Sequence, residues 1–463
     1  MKTHQFAPEI LREYDIRGTV DVNLNETDAY FLGLSFGTMI RRKGGNKVCV
    51  GYDGRETSPI YEKELIKGLT ETGVSVECIG IGPTPLLYFA VKDHMTDGGI
   101  MITGSHNPKH MNGFKMTIQS GPVFGQDIKA LAEIAASGDF ESGNGSVREV
   151  DMIDTYIERL LRDMDLKHPY KIAWDAGNGA AGAVLHKLVS KLPGEHVLLY
   201  DTIDSSFPNH MPDPSVDENM QDLKRAVLEQ NCDLGIAFDG DADRIGVIDD
   251  KGNIIRSDML LAVYARSVLE TLPGAPIIAD VKCSNALFAE IKRLGGTAVM
   301  WKTGHSLIKS KMAELNAPLA GELSGHIFFA DKYYGFDDAL YCAVRLLNYL
   351  EKQEEGVKLS DLLAEMPRPI NTPELRVDVE ESEKFKVVEQ LKNYVHESKL
   401  QNIQIDETDG VRVTLEGGWW LLRASNTQAC LVARAEANSN DELSTVKTHL
   451  ISALSAVGFE LSF

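Results

Sequence analysis

Three aspartates at alternate positions, in the run Asp239-Gly240-Asp241-Ala242-Asp243-Arg244, are the residues best placed to do chemistry. Alternate residues of an extended chain face one side, so the carboxylates crowd together. Two like charges 4 Å apart repel by about 4 kcal/mol at an effective dielectric near 20. A divalent cation removes that conflict. Gly240 and Ala242 are small, so the segment can curl until the oxygens converge, and hard carboxylate ligands suit Mg2+, which tends to keep a position open for a phosphate oxygen. The plain alternative is a solvated acidic loop. A calcium EF-hand does not fit, because Arg244 stands where that loop needs glycine and Asp250 where it ends in glutamate. Beside a cation, Arg244 is suited to meet phosphate.

The second such stretch is Met101-Ile102-Thr103-Gly104-Ser105-His106-Asn107-Pro108. It places one hydroxyl at the tip of a strand, on a glycine-permitted turn, beside two hydrogen-bonding side chains. Ser105 is either a helix cap or a nucleophile. Arg423-Ala424-Ser425-Asn426-Thr427 offers one guanidinium, two hydroxyls, an amide and several backbone N–H groups, which together make a phosphate cradle. An ordinary Ser/Thr turn reads the same way, and the preceding Trp419-Trp420 pair reads as core. Glu322 and Ser324, in Gly321-Glu322-Leu323-Ser324-Gly325-His326, can hold sugar hydroxyls. His305, after Lys302-Thr303-Gly304, is either a proton carrier or structural, and Arg12 and Arg17 are open in the same way.

The elements that must position these groups repeat. Val48-Cys49-Val50 runs into Asp53, Ile172-Ala173-Trp174 into Asp175, and Ile277-Ile278-Ala279 into Asp280. Each is followed by a helix-period stretch, a second strand-like run (75–85, 196–210, 297–306) and a third (98–108, 232–244, 317–326). Such alternation predicts three weakly similar α/β units around mixed or mainly parallel sheets, whose ligands gather at the carboxyl ends of strands. Glycine-rich polar residues 137–149, the turn at 249–253 and the proline-rich linker at 366–373 divide the chain into 1–150, 151–253, 254–368 and a C-terminal α+β part at 369–463.

The 463 residues are too many for one core. A net charge of −21 argues against a nucleic-acid or anionic-membrane partner, since no basic field would steer one in. The first residues hold no apolar signal region and no long uncharged apolar stretch follows, so a cytoplasmic protein is expected. The six cysteines form no C-x-x-C pair and read as buried, reduced thiols.

Taken together, the Thr103–Pro108, Asp239–Arg244, Gly321–His326 and Arg423–Thr427 motifs resemble, in the same order and over nearly the whole chain, those of the α-D-phosphohexomutase superfamily. The resemblance implies three similar α/β domains and a smaller fourth around a central cleft. It implies that Ser105 carries a phosphoryl group and that Asp239, Asp241 and Asp243 hold Mg2+, with Ser105 at the same ion. His106, Asn107 and Lys115 would then support the phosphoserine, with Arg244 at the transferring group. Arg17, Lys115 and His305 would be candidates for moving the sugar hydroxyl's proton. Tyr14, Lys282, His305, Glu322, Ser324, His326, Arg423, Ser425, Asn426 and Thr427 would bind substrate. The implied reaction moves phosphate between the 1- and 6-positions of mannose and glucose phosphates, with a hexose 1,6-bisphosphate as intermediate and activator. A monomer or weak oligomer acting on small hexose phosphates is expected. A phosphoglucosamine mutase, a metal-dependent sugar phosphatase and a silent sugar-phosphate binder are the rivals. The sugar loop and the Arg423–Thr427 loop favour glucose and mannose phosphates, while Gln428-Ala429 departs from the family's pattern.

Overall fold

The structure, a computed structural model, describes residues 2–398, 403–426 and 428–459. Its first sheet contains β1 (Ile16–Thr19), β2 (Lys47–Tyr52), β3 (Ser75–Ile81), β4 (Gly98–Ile102), β5 (Met111–Ile118), β6 (Gly121–Pro122) and β7 (Val147–Glu149). The second contains β8 (Lys171–Asp175), β9 (Glu195–Leu199), β10 (Leu234–Phe238), β11 (Ile245–Asp249) and β12 (Ile254–Ile255). The third contains β13 (Pro276–Asp280), β14 (Thr297–Trp301), β15 (Leu319–Gly321) and β16 (Ile327–Phe329). The fourth contains β17 (Ile370–Asn371), β18 (Leu375–Asp378), β19 (Gln404–Asp406), β20 (Val411–Leu415), β21 (Gly418–Ala424) and β22 (Cys430–Ala437).

The first three sheets share one topology. In the runs β3-β2-β4-β5, β9-β8-β10-β11 and β14-β13-β15-β16, the first three strands are parallel and the last is antiparallel. The sequence reading found the three parallel strands of each unit and missed the antiparallel fourth. The central strands are continuous apolar runs buried on both faces, as in Leu234–Phe238, which is how a helix-covered parallel sheet reads. The fourth strand returns after a short loop. Those loops are 103–110, 239–244 and 322–326, and the last sheet repeats the device between antiparallel β21 and β22. All four polar motifs are thus hairpin connections.

Beyond the turn at 249–253, β12 pairs with β11 and extends the second sheet to Ile255. The second and third units share one core, in which Trp174, Leu188, Tyr264 and Leu347 are buried together with Leu86 and Phe89 of the first unit. Tyr156 and Tyr333 both donate hydroxyl hydrogen bonds to Asp338, at 2.9 and 2.7 Å. The last unit has its own core and docks on the third through Arg412, which reaches Val281 O at 2.6 Å and Cys283 O at 2.9 Å and lies 3.5 Å over the Trp419 ring. Trp419 and Trp420 are core residues. No helix among the described residues is long and apolar enough to cross a membrane.

In the first unit, the helix Glu26–Arg42 starts on Asn25, whose side chain accepts from Thr27 N–H at 2.8 Å. It crosses the helix Ser58–Glu71 at Gly33 and Gly68. A Cβ on Gly33 would stand 2.3 Å from Leu65 O and 3.0 Å from Leu69 N, both backbone atoms that cannot move aside alone. Gly33→Ala should therefore cost about 1–3 kcal/mol, as overpacked cores do. Urea unfolding checks it, with a lowered midpoint and an unchanged slope expected.

Candidate active site

The hairpin after β4 leaves Ser105 in the left-handed region, at φ +50°. Thr103 Oγ1 accepts the Ser105 N–H at 2.8 Å. The Ser105 hydroxyl donates to Asp239 Oδ2 at 3.0 Å, and its oxygen lies 3.1 Å from His106 Nδ1. The first unit thus presents its hydroxyl to the acidic loop of the second.

That acidic loop is curled, as the small Gly240 and Ala242 allow. It is a tight hairpin turn with Ala242 left-handed at φ +56°, and the aspartates converge by curling. Asp239 Oδ1 caps the turn, accepting the Asp243 and Arg244 N–H groups at 3.1 Å each. All three aspartates are fully buried. Thr84 of the first unit holds Asp241 through both its hydroxyl and its N–H. Lys115 Nζ donates to Asp241 Oδ2 at 2.7 Å and to Asp243 Oδ2. Burial, reinforced by Asp243 and Asp241, pushes the Asp239 carboxyl well above its usual range. Burial acts upward on Asp241 too, but the Lys115 ammonium outweighs it and holds that carboxyl low. The reciprocal attraction overcomes desolvation of Lys115 and raises it.

The donor set fits a hard divalent cation. The ligand atoms of the three aspartates lie within 4.8 Å of one another. Asp241 Oδ1 and Asp243 Oδ1 are buried with no hydrogen-bond partner among the described residues, and all the donors are carboxylate oxygens, which suit Mg2+.

Above this cluster opens a cleft of about 1020 Å³. Tyr14, Arg17, Ser105, His106, Lys115, Arg244, Lys282, His305, Glu322, Ser324, His326, Arg423, Ser425 and Asn426 all line it. The aspartate triplet lies behind this lining, and Thr427 lies outside the described residues. Arg17 pairs with Asp15. Glu322 Oε1 accepts the Gly304 N–H at 2.6 Å, and burial raises its carboxyl. Arg244 Nε–H donates to His326 Nε2 at 3.0 Å, which leaves the histidine's proton on Nδ1, 3.0 Å from Asp337 Oδ2. His305 Nδ1 lies 3.8 Å from the same oxygen. Burial, then the Lys309 charge, pushes His305 well below the ordinary imidazole value. Lys309 Nζ reaches Asp337 Oδ1 at 2.9 Å.

Three units meet at Tyr14. Its hydroxyl donates to Thr303 O at 2.8 Å and accepts from Asn426 Nδ2 at 2.6 Å. Asp409 Oδ2 accepts both the Thr303 N–H at 3.0 Å and Arg423 Nε–H at 2.9 Å. Arg423 Nη2 is buried without a hydrogen-bond partner among the described residues. Lys282 Nζ lies 3.1 Å from Glu374 Oε2, and burial acting downward on this ammonium is outweighed by Glu374, so its affinity for a proton rises. Sequence reasoning missed Thr84, Lys309, Asp337, Glu374 and Asp409. A signal existed only for Asp337, in the Asp337-Asp338 pair that starts the helix Ala339–Leu350.

Known proteins match the chain along its whole length. Family profiles match in order: "Phosphoglucomutase/phosphomannomutase, alpha/beta/alpha domain I" over residues 8–142, domain II over 154–252, domain III over 256–370, and the C-terminal domain over 374–452. A Pseudomonas aeruginosa protein named phosphomannomutase/phosphoglucomutase is 43% identical over 460 residues, covering 99% of this chain and 98% of its own. A Neisseria gonorrhoeae phosphoglucomutase is 41% identical over 443 residues, covering 95% of each. The crystal structure of a Burkholderia thailandensis phosphoglucomutase/phosphomannomutase family protein superposes with a TM-score of 0.93, at 39% identity, over 99% of this chain and 100% of that one.

The aspartate cluster yields a direct test. Mg2+ at about a hundred times its dissociation constant should stabilise the native protein by about 2.7 kcal/mol. Thermal melts with Mg2+ and with a chelator should differ in the wild type and coincide in Asp241→Asn, where one anionic ligand is gone.

Proposed function

Because the chain belongs to the phosphoglucomutase/phosphomannomutase family, we propose that it moves a phosphoryl group reversibly between the 1- and 6-positions of glucose and mannose phosphates, through phosphorylated Ser105 and a hexose 1,6-bisphosphate. The observation that carries this reading is the Ser105 hydroxyl at the rim of three buried aspartates, 3.0 Å from Asp239 and open to the cleft. A hydroxyl needs nothing beside it to cap a helix, but a phosphate carrier needs charge neutralisation beside it and room before it.

Mg2+ held by Asp239, Asp241, Asp243 and the Ser105 oxygen would neutralise charge on the transferring group. The chain's own residues do the rest. The bond between phosphorus and Ser105 Oγ breaks as the bond to a free sugar hydroxyl forms, and that hydroxyl's proton must leave. Of the three candidates, Arg17 is a permanent cation and Lys115 is an ammonium donating to two carboxylates. His305 lines the same cleft, with its proton affinity lowered by burial and by the Lys309 charge, and the proton goes to one of these three. The bisphosphate then turns end for end and returns its other phosphoryl group to Ser105, and the same group gives the proton back to the sugar oxygen left behind. Arg423, Ser425, Asn426 and Lys282 hold the phosphate that does not react, by charge-assisted bonds. Glu322 and Ser324 hold hydroxyls that glucose and mannose share, so one loop serves both sugars and both orientations of the bisphosphate.

Ser105→Ala should remove mutase activity, assayed with added glucose 1,6-bisphosphate, and leave binding of the sugar phosphate measurable by calorimetry. Turnover close to wild type would remove the serine from the mechanism. Glu322→Ala should lower kcat/KM for glucose 1-phosphate and mannose 1-phosphate by similar factors. A loss confined to one sugar would mean that this carboxylate reads carbon 2.

A further inference from the structure

Asp53-Gly54-Arg55, just beyond β2, has no part in the chemistry above, yet it is built around the serine loop. Arg55 is 3% exposed and does not line the cleft. Its Nε donates to Asp53 Oδ2 at 3.1 Å. Nη1 donates to Pro108 O and Met111 O, each at 2.8 Å. Nη2 donates to Ser105 O at 2.9 Å and Asn107 O at 2.6 Å. These five bonds match the five N–H donors of a guanidinium. Four of the acceptors are carbonyls of one hairpin. Asp53 grips the other side of the serine, since its Oδ2 also accepts the Gly104 N–H at 3.0 Å. Its Oδ1 is fixed by Ser58 Oγ at 2.9 Å and by the Arg55 N–H at 3.1 Å.

Two neighbours show that the space is made for this group. A Cβ on Gly104 would stand 2.3 Å from Arg55 Cζ, so only glycine fits before the nucleophile. On its other side the guanidinium lies 5.5 Å from the ring centre of Phe207, which comes from the second unit. The third unit keeps the aspartate without the arginine. Asp280 accepts the Leu323 N–H of the sugar loop at 3.3 Å and the Thr303 hydroxyl at 3.0 Å. Two residues after Asp280 stands Lys282, whose ammonium goes to Glu374 at 3.1 Å, whereas Arg55 goes to the carbonyls of the serine loop. That loop holds a non-glycine residue at positive φ, a conformation that persists only where the surroundings impose it.

We propose that Arg55, set in place by Asp53, is a positioning residue for phosphoryl transfer. It fixes the Ser105 backbone in its left-handed conformation so that Oγ stays against the aspartate cluster. The inference rests on the reading of Ser105 as the phosphate carrier. Lysine cannot replace Arg55, because a single ammonium has no planar fork to span four carbonyls.

The test compares full-length wild type, Arg55→Ala and Arg55→Lys with glucose 1-phosphate. It reads kcat, KM, melting temperature and, by intact mass after incubation with glucose 1,6-bisphosphate, the phosphate on Ser105. Displacing a reacting atom by about 1 Å can cost a hundredfold, so kcat should fall by about that factor in both variants while KM stays close to wild type. Guanidinium chloride, at concentrations well below those that unfold the protein, should restore part of the lost turnover to Arg55→Ala and none to Arg55→Lys or wild type. A purely structural role would give no rescue, since guanidinium only weakens folding. Wild-type kcat in both variants, or losses that track the melting temperature without rescue, would overturn the proposal. If Arg55→Ala does not fold, Arg55→Lys alone decides it by its kcat against KM. A wild type that takes no phosphate on Ser105 would instead overturn the reading on which the proposal rests.

Discussion

Three carboxylates buried within 4.8 Å of one another repel strongly unless positive charge and donors are brought to them, and the arrangement of the whole molecule follows from that need. The second unit, which owns the aspartates, supplies the backbone donors of its own turn and the Arg244 charge. Lys115, Thr84 and the Ser105 hydroxyl all come from the first unit. The units must therefore dock with their hairpin loops inward, and the shared apolar core of the first three units gives the hydrophobic gain that holds charged groups out of water. Breaking the cluster open by removing one cation would leave an uncompensated buried charge, which costs far more than the pair contributes when intact.

One device is used four times to bring chemistry to that place. In the first three units a parallel strand delivers its carboxyl end to the cleft and an antiparallel strand takes the chain away, and in the all-antiparallel fourth sheet β21 and β22 do the same. The serine, the acidic, the sugar and the phosphate loops are these connections in successive units. Aspartates at the ends of the neighbouring strands tie the first and third loops down, through Gly104 N–H and Leu323 N–H. The fourth unit is less embedded. It contributes Arg423 and Asn426, and touches the first unit at Tyr14, so the proposed phosphate site and the domain contact meet at one hydroxyl.

Much of this was legible in the sequence because loop chemistry is local. Ser105, the aspartate triplet, Glu322 and Arg423 stand in short runs whose residue types make sense together, and the structure brings each of them to one cleft or to its floor. The antiparallel fourth strands were not legible. β16 is three residues long, β11 is five residues that include Gly246 and end on Asp249, and β5 mixes Asn112 and Lys115 into an apolar run. The curl that small Gly240 and Ala242 allow is what brings the aspartates together, with Ala242 at a positive φ. Thr84, Lys309, Glu374 and Asp409 carry no local pattern, because what selects them is a partner far away in the chain. Thr84 and Asp241 are 157 positions apart.

The account stands on phosphate passing through Ser105, and one experiment follows that phosphate. Protein labelled with isotopic phosphate on Ser105 is mixed with excess unlabelled glucose 1-phosphate for less than one turnover, and the small molecules are separated. Label is predicted at carbon 6 of glucose 1,6-bisphosphate and then of glucose 6-phosphate, in an amount equal to that lost from the protein. Label released as inorganic phosphate, or kept on the protein while glucose 6-phosphate forms, would contradict it.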